Sequence, residues 1–158
     1  MDRLVSGWRA ALPDLDVSPL EVLSRITRLA RHLDRQRNLV FARHDLETWT
    51  FDVLSALRRA GPPYQLSPGQ LLAQTLVTSG TMTNRINRLE ERGLVRRRPD
   101  PADARSTRVQ LAPAGRKRVD AALKDLVARE NAIIGTLDTA ERAVLAGLLR
   151  RVVAPFDA

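Results

Sequence analysis

Residues 79–115 read SGTMTNRINRLEERGLVRRRPDPADARSTRVQLAPAG, and the fold turns on this stretch. At about 100° per residue, Met82, Ile86 and Leu89 share one side of a helix that opens at Ser79, and they are expected to pack inward. Thr81, Asn84, Asn87 and Arg88 fall on its other faces. Gly93 closes the helix as a C-terminal cap. Beyond it Leu94–Arg98 reads as a strand, and Ser106–Leu111 alternates as a second. Between them Pro99, Asp100, Pro101, Ala102, Asp103, Ala104 and Arg105 favour a loop over either regular element. Pro113 then opens another helix, reaching about Gly135.

Working outward, Ser67-Pro68 begins a short helix containing Leu71 and Leu72, and a turn at 76–78 separates it from the basic helix. Short helix, turn, basic helix and β hairpin make a winged helix-turn-helix, whose second helix is shaped to enter a major groove. Upstream, residues 2–11 form a short helix carrying Trp8. Ser18 and Pro19 start a second by capping and a first-turn proline, running to about Arg43 with Val22, Ile26, Leu29 and Leu33 at helical spacing. A third, about 46–60, places Phe51, Leu54 and Leu57 on one stripe and stops at Gly61-Pro62-Pro63. Downstream, Asp138 with Glu141 three residues on forms a capping box for a last helix to about Pro155. The expected fold is mainly α with a small β hairpin, a winged core flanked by helices at both ends. Val22, Ile26, Leu29 and Leu33 early, with Val144, Leu145, Leu148 and Leu149 late, need partners beyond a small core, which predicts an obligate homodimer.

The charge supports a nucleic-acid surface because it is local. Residues 78–118 hold eleven Lys and Arg against four acids, leaving the other 117 residues only +1 of the net +8. Such a segment supplies the positive field that a phosphate backbone attracts, although a solvated basic face is the plain alternative. The exposed amides of Asn84 and Asn87 suit adenine edges, and the Arg88 guanidinium suits guanine or phosphate. Ser79 either caps its helix or lets the helix amides meet a phosphate.

Around the same residues the chain resembles the MarR family. That family's winged core ends in Asp-x-Arg, a strand, then Leu-Thr-x-x-Gly opening the next helix; here the residues are Asp103-Ala104-Arg105, Ser106–Gln110 and Leu111-Ala112-Pro113-Ala114-Gly115. Ala112 stands where the family usually has a hydroxyl cap, so that helix start loses a contribution of about 1 kcal/mol. The resemblance covers essentially the whole chain. It implies a single domain, with dimerisation helices at 1–45 and 112–158 around a DNA-binding core at 46–111. It also implies an operator duplex as partner, with Arg105 of the wing entering a minor groove, while an ion pair with Asp103 is the alternative role for Arg105.

The chain further resembles the family's urate-responsive branch, which adds a helix before the common core. That branch has a tryptophan on this helix, an aspartate before the helix-turn-helix, and arginines in the recognition helix and the following strand; Trp8, Asp52, Arg85 and Arg97 match them. The resemblance implies a small anionic effector that stacks on Trp8, pairs with arginine and repels Asp52, releasing DNA. Urate or xanthine, and in related regulators citrate or trans-aconitate, are the effectors it suggests. A structural salt-bridge network with Trp8 as an apolar anchor is the alternative. On the helical wheel Asp52 lies away from Phe51, Leu54 and Leu57, so a partly buried carboxylate there would need a cation or a proton.

Other classes fit less well. Cysteine is absent, removing disulfides and thiolate chemistry, and His32 and His44 belong to no ligand or nucleophile constellation, so neither an enzyme, a cofactor nor a metal is expected. With six aromatic residues and none in the basic segment, base stacking on single-stranded RNA is not favoured. There is no apolar run of membrane-spanning length and no signal pattern, so a cytoplasmic protein without membrane contact is expected. An effector-independent architectural or replication winged-helix protein is the remaining alternative.

Overall fold

The computed structural model describes residues 2–75, 79–100 and 103–156, with residues 79 and 103–105 described by backbone alone. The expected turn at 76–78 lies outside these residues. Among the described residues, seven α-helices and three strands follow in the order α1 (Asp2–Ala11), α2 (Ser18–Arg43), α3 (Thr48–Arg59), β1 (Gln65–Leu66), α4 (Pro68–Thr75), α5 (Ser79–Glu91), β2 (Val95–Asp100), β3 (Asp103–Leu111), α6 (Pro113–Ile133) and α7 (Thr139–Val153). A 3-10 turn, Ala154–Phe156, ends the described chain. Among the described residues no helix is long and apolar enough to cross a membrane.

The chain divides into two compact units, Met1–Ala122 and Leu123–Ala158. In the first, the core is built from Val53, Leu54 and Leu57 of α3, Leu71 of α4, Met82, Ile86 and Leu89 of α5, Val95, Val109, and Val119 and Ala122 of α6, all essentially inaccessible to solvent. These are the stripes that the helical periods of α3 and α5 lay out, and burying each such side chain contributes roughly 1.5–3 kcal/mol before entropy. Thr50 is also fully buried, and its hydroxyl has no hydrogen-bond partner. Phe41 and Phe51 stack with centroids 4.2 Å apart, joining the end of α2 to α3.

The ends of α5 are set locally. Gly93 has φ 66°, a left-handed conformation cheap only for glycine. Its amide donates to Glu90 O at 2.9 Å and the Leu94 amide donates to Leu89 O at 2.9 Å, a Schellman closure with buried Leu89 and Leu94 as its apolar contact. The carbonyl of Leu94 then accepts from the Ala112 amide at 3.0 Å. Gly115 passes directly over that carbonyl, so that a Cβ at 115 would stand 2.2 Å from Leu94 O. Glycine in the Leu111–Gly115 pattern therefore serves a close approach between α6 and the strand following α5.

Two local expectations need correction. Ser18 is the first residue of α2 and sits one position too late to cap it; the N-cap is Val17, which offers no side-chain cap, and Asp16 accepts from the Ser18 amide at 2.9 Å and from its hydroxyl at 3.1 Å. These bonds hold the Asp16 carboxyl below its ordinary pKa. The loop at 99–105 is shorter than its prolines and aspartates imply, since β2 reaches Asp100 and β3 resumes at Asp103. Sheet order β1-β3-β2 makes β2 an edge strand, where Pro99 withholds no needed donor and pairs with Thr107, and the register shifts only after it. The hairpin is also part of a three-stranded sheet. Gln65 and Leu66 pair antiparallel with Gln110 and Val109, a strand too short to show alternation in the sequence.

In the second unit, Asp138 Oδ1 accepts from the Glu141 amide at 2.9 Å while Glu141 Oε2 accepts from the Asp138 amide at 2.8 Å, the expected capping box. The helix it starts, α7, buries none of its residues. Val144 is 63% and Leu148 51% exposed, so its apolar face is uncovered in one chain.

Candidate nucleic-acid interface

Helices α4 and α5 and the β2–β3 hairpin form the winged element, and polar side chains hold it together. Ser67 Oγ accepts from the Gln70 amide at 3.1 Å and Gln70 Oε1 accepts from the Ser67 amide at 2.8 Å, capping α4. The same Gln70 oxygen accepts from Arg108 Nη1 at 3.1 Å, and Arg108 Nε donates to Asp100 Oδ2 at 2.5 Å. One arginine thus ties the wing to the first helix of the helix-turn-helix.

On α5 the wheel holds. Met82, Ile86 and Leu89 are buried, whereas Thr81, Asn84, Asn87 and Arg88 are exposed. Asn84 presents its amide to solvent from the middle of that face. Asn87 is engaged on one side, its Oδ1 accepting from Arg97 Nη2. The side chains of Ser79 and Arg105, both expected at the interface, lie outside the described residues.

The sequence reading did not anticipate what surrounds Arg88. Its Nη2 donates to Glu47 Oε1 at 3.1 Å, and its guanidinium carbon lies 5.0 Å from the centre of the Trp49 ring. Arg85 approaches the same ring at 5.4 Å, and Trp49 Nε1 donates to the other oxygen of Glu47. The start of α3 therefore offers an indole and a carboxylate to two cations of the recognition helix. No spacing in the sequence signals this, because the contact depends on how α3 packs beside α5.

The four expected effector residues are placed differently from one another. Asp52 borders a cavity of about 290 Å³ with Phe51, Ser55, Arg59, Gln74 and Thr75. Although its carboxyl keeps solvent access, desolvation lifts its pKa above the ordinary carboxylate value, and the charges of Arg85, Arg37 and Arg59 only partly offset this. Arg85 is thus within electrostatic range of Asp52. Arg97 instead bonds to α5, its amide donating to Glu90 Oε1 at 2.9 Å and its guanidinium to Glu90 and Asn87. These bonds lower the pKa of Glu90. Trp8 is half-exposed on α1, which packs against α2 and is held there by ion pairs of Arg9 with Glu21 and Arg25 with Asp2. Within one chain, then, Asp52 feels the charge of Arg85, Arg97 is bound to Glu90 and Asn87 of α5, and Trp8 lies on α1.

A further hub was not foreseen. Asp45, in a left-handed turn with φ 52°, accepts from Arg92 Nη2 at 2.9 Å and from Arg118 Nη1 at 2.6 Å. It links the α2–α3 turn to the end of α5 and to α6, and the two guanidiniums hold its carboxyl below the ordinary range.

Comparison with known proteins agrees with this geometry. A family model described as "MarR family" matches residues 44–106. The chain is 36% identical over 149 residues to the HTH-type transcriptional regulator PecS of Dickeya dadantii, covering 94% of this chain and 90% of that protein. Among solved structures, Escherichia coli MarR in complex with operator DNA superposes with a TM-score of 0.69 at 27% identity, over 87% of this chain and 96% of that one. Bordetella bronchiseptica BpsR, solved to explain regulation of its DNA binding by 6-hydroxynicotinic acid, gives a TM-score of 0.61 at 29% identity, over 80% and 91% of the two chains. These relatives are regulators and not enzymes. With a winged helix-turn-helix, a polar face on its second helix and a relative matched almost end to end, the chain belongs to the MarR family of DNA-binding transcriptional regulators.

Proposed function

We propose that the protein is a homodimeric, ligand-responsive repressor that binds a palindromic operator and releases it on taking up a small anionic metabolite. The observation that carries DNA reading is the division of α5 into a buried face of Met82, Ile86 and Leu89 and an exposed face of Thr81, Asn84, Asn87 and Arg88. In this reading Asn84 and Arg88 address base edges, Ser79 and Thr81 approach phosphate, and Arg105 reaches from the wing. Residues 46–111 act as the DNA-binding core. The helices at 1–45 and 112–158 dimerise, which the uncovered apolar residues of α7 and the exposure of Val22, Leu23 and Leu29 on α2 support.

For the effector, the raised pKa of Asp52 beside Arg85 favours a switch at this pair, answering to urate, xanthine, citrate or trans-aconitate, with Trp8 and Arg97 contributing as the branch resemblance implies. The BpsR comparison adds small aromatic acids to this class. The deciding experiment is Asn84→Ala measured on operator and on unrelated duplex at fixed salt. Loss of a good bidentate contact should reduce the specific-to-non-specific ratio by roughly 1–3 kcal/mol. An unchanged ratio would remove Asn84 from base reading. Sedimentation at micromolar concentration should show a dimer, and a folded monomer would refute the two-half-site arrangement.

A further inference from the structure

A second cavity, of about 700 Å³, opens at the base of the wing sheet, and none of the four residues of the branch resemblance lines it. Tyr64 lines it, with Arg96 of β2, Gln110 at the end of β3, and Arg116, Lys117 and Asp120 on the first turns of α6. Arg96, Arg116 and Lys117 give three positive charges against the single carboxylate of Asp120. That carboxylate is already taken, since it accepts from Arg58 Nε at 2.8 Å. The cations of the cavity therefore face an uncompensated balance.

The walls are fixed by backbone. Tyr64 has φ 60°, a conformation costly for a residue with a side chain, and hydrogen bonds secure it there. Its amide donates to Gly61 O at 2.5 Å and its carbonyl accepts from the Leu111 amide at 2.9 Å. Gln110 Nε2 donates to Pro63 O at 3.1 Å. The guanidinium of Arg58 lies 5.1 Å and that of Arg116 5.5 Å from the centre of the Tyr64 ring, so the aromatic ring serves to seat cations.

We infer that this cavity binds a compact anion carrying two or more charges, held by Arg96, Arg116 and Lys117. Volume and chemistry both fit, because ligand pockets typically span about 300–1,000 Å³ and converging Arg and Lys side chains suit carboxylate or phosphate. Its position gives it leverage on DNA binding. The lining runs through Leu111, Ala112 and Pro113, and the Ala112 amide donates to the Leu94 carbonyl, whose own amide closes α5. Charge drawn into the cavity bears on the strut that fixes the recognition helix and on the strand leading to the wing. This inference rests on the ligand-responsive reading above, and it names a site distinct from Asp52.

Tyr64 is the one tyrosine in the chain, so protein labelled with 3-fluorotyrosine gives a single fluorine resonance to follow. The full-length protein is titrated with citrate, with inorganic pyrophosphate and with sodium chloride at matched ionic strength, and operator affinity is measured in parallel. A saturable shift with citrate or pyrophosphate but not chloride is expected, the stronger of the two identifying a carboxylate or a phosphate ligand. Arg96→Gln and Lys117→Gln should each weaken that binding on the order of tenfold, as loss of one charge-assisted hydrogen bond implies. Asp52→Asn should leave it unchanged. A saturable shift without loss of operator affinity would keep the site but overturn its leverage on α5. No saturable shift with either anion, or a shift produced by operator duplex alone, would overturn the site; the second result would make the cavity a contact for DNA phosphate. Neither outcome touches the Asp52 reading, which fails if Asp52→Asn leaves effector-driven release of DNA unchanged.

Discussion

Replacing Gly115 by alanine sets two physical effects against each other. Helix propensity alone favours the change, since alanine in a helix interior is more stable than glycine by roughly 0.5–1 kcal/mol. The structure opposes it. The new Cβ would stand 2.2 Å from Leu94 O and 3.0 Å from the Leu111 side chain, and the first of these neighbours is backbone, which has no rotamer to escape into. Relieving the overlap requires α6 to lift by about an ångström from the strand following α5. Overpacking of this kind costs typically about 1–3 kcal/mol. Lifting α6 also stretches the 3.0 Å hydrogen bond from the Ala112 amide to that carbonyl, a further contribution of about 1 kcal/mol. After subtracting the propensity gain, Gly115→Ala should destabilise by about 1–3 kcal/mol. Urea unfolding followed by circular dichroism reads this as a lowered midpoint with an unchanged slope. At Gly7 of α1 a Cβ would meet nothing within 4 Å, and the same substitution there should not destabilise. A midpoint for Gly115→Ala equal to or above that of the wild type would refute the close-approach argument.

Asp52→Asn should raise thermal stability at neutral pH, by less than about 1 kcal/mol because solvent still screens the group. With a folded pKa above the unfolded value near 3.9, the penalty is present above the folded pKa and disappears as pH falls below the unfolded one, so the variant's advantage should vanish in acid; a constant difference across pH would count against it. Glu47→Gln frees Arg88 from its carboxylate partner, and non-specific duplex affinity should rise while the slope of log K against log salt steepens by up to about 0.9. Fluorescence anisotropy at several salt concentrations measures both, and an unaltered slope would show that Glu47 does not restrain Arg88. Thr50→Val replaces a buried hydroxyl that has no partner with a methyl of similar shape and should stabilise by about 1 kcal/mol, as chemical denaturation would show; destabilisation would mean that the hydroxyl is satisfied in solution.

The parts of this protein that can be read from sequence are those governed by local rules. The inward side of α5, the Gly93 cap and the Asp138–Glu141 box each depend on residues within one helix or turn, where period and backbone conformation decide. Proline and aspartate misled at 99–105 because their effect depends on whether the strand is central or at an edge, which only the sheet order reveals. Strand β1 was invisible because two residues cannot alternate. At the interface, the exposed face of α5 followed from the wheel, but the hold of Glu47 and Trp49 on Arg88 did not, since it joins residues 41 positions apart. The same applies to Asp45, whose partners are Arg92 just after α5 and Arg118 on α6, and to the cavity beside Tyr64, which gathers residues from several separate elements and loops.

The sheet order also bears on how the chain reaches this structure. Strands β2 and β3 are neighbours in sequence and can pair at the cost of closing one short loop, and the Schellman closure of α5 joins directly onto them. Strand β1 reaches β3 only after α4 and α5 have been enclosed between them, which carries a larger loop-closure entropy. Assembly is therefore expected to begin in residues 79–122, with β1 docking as the late, non-local step. Gln65 and Leu66 would then influence the rate of unfolding more than the rate of folding, and their pairing would be the first of the sheet to open to hydrogen exchange.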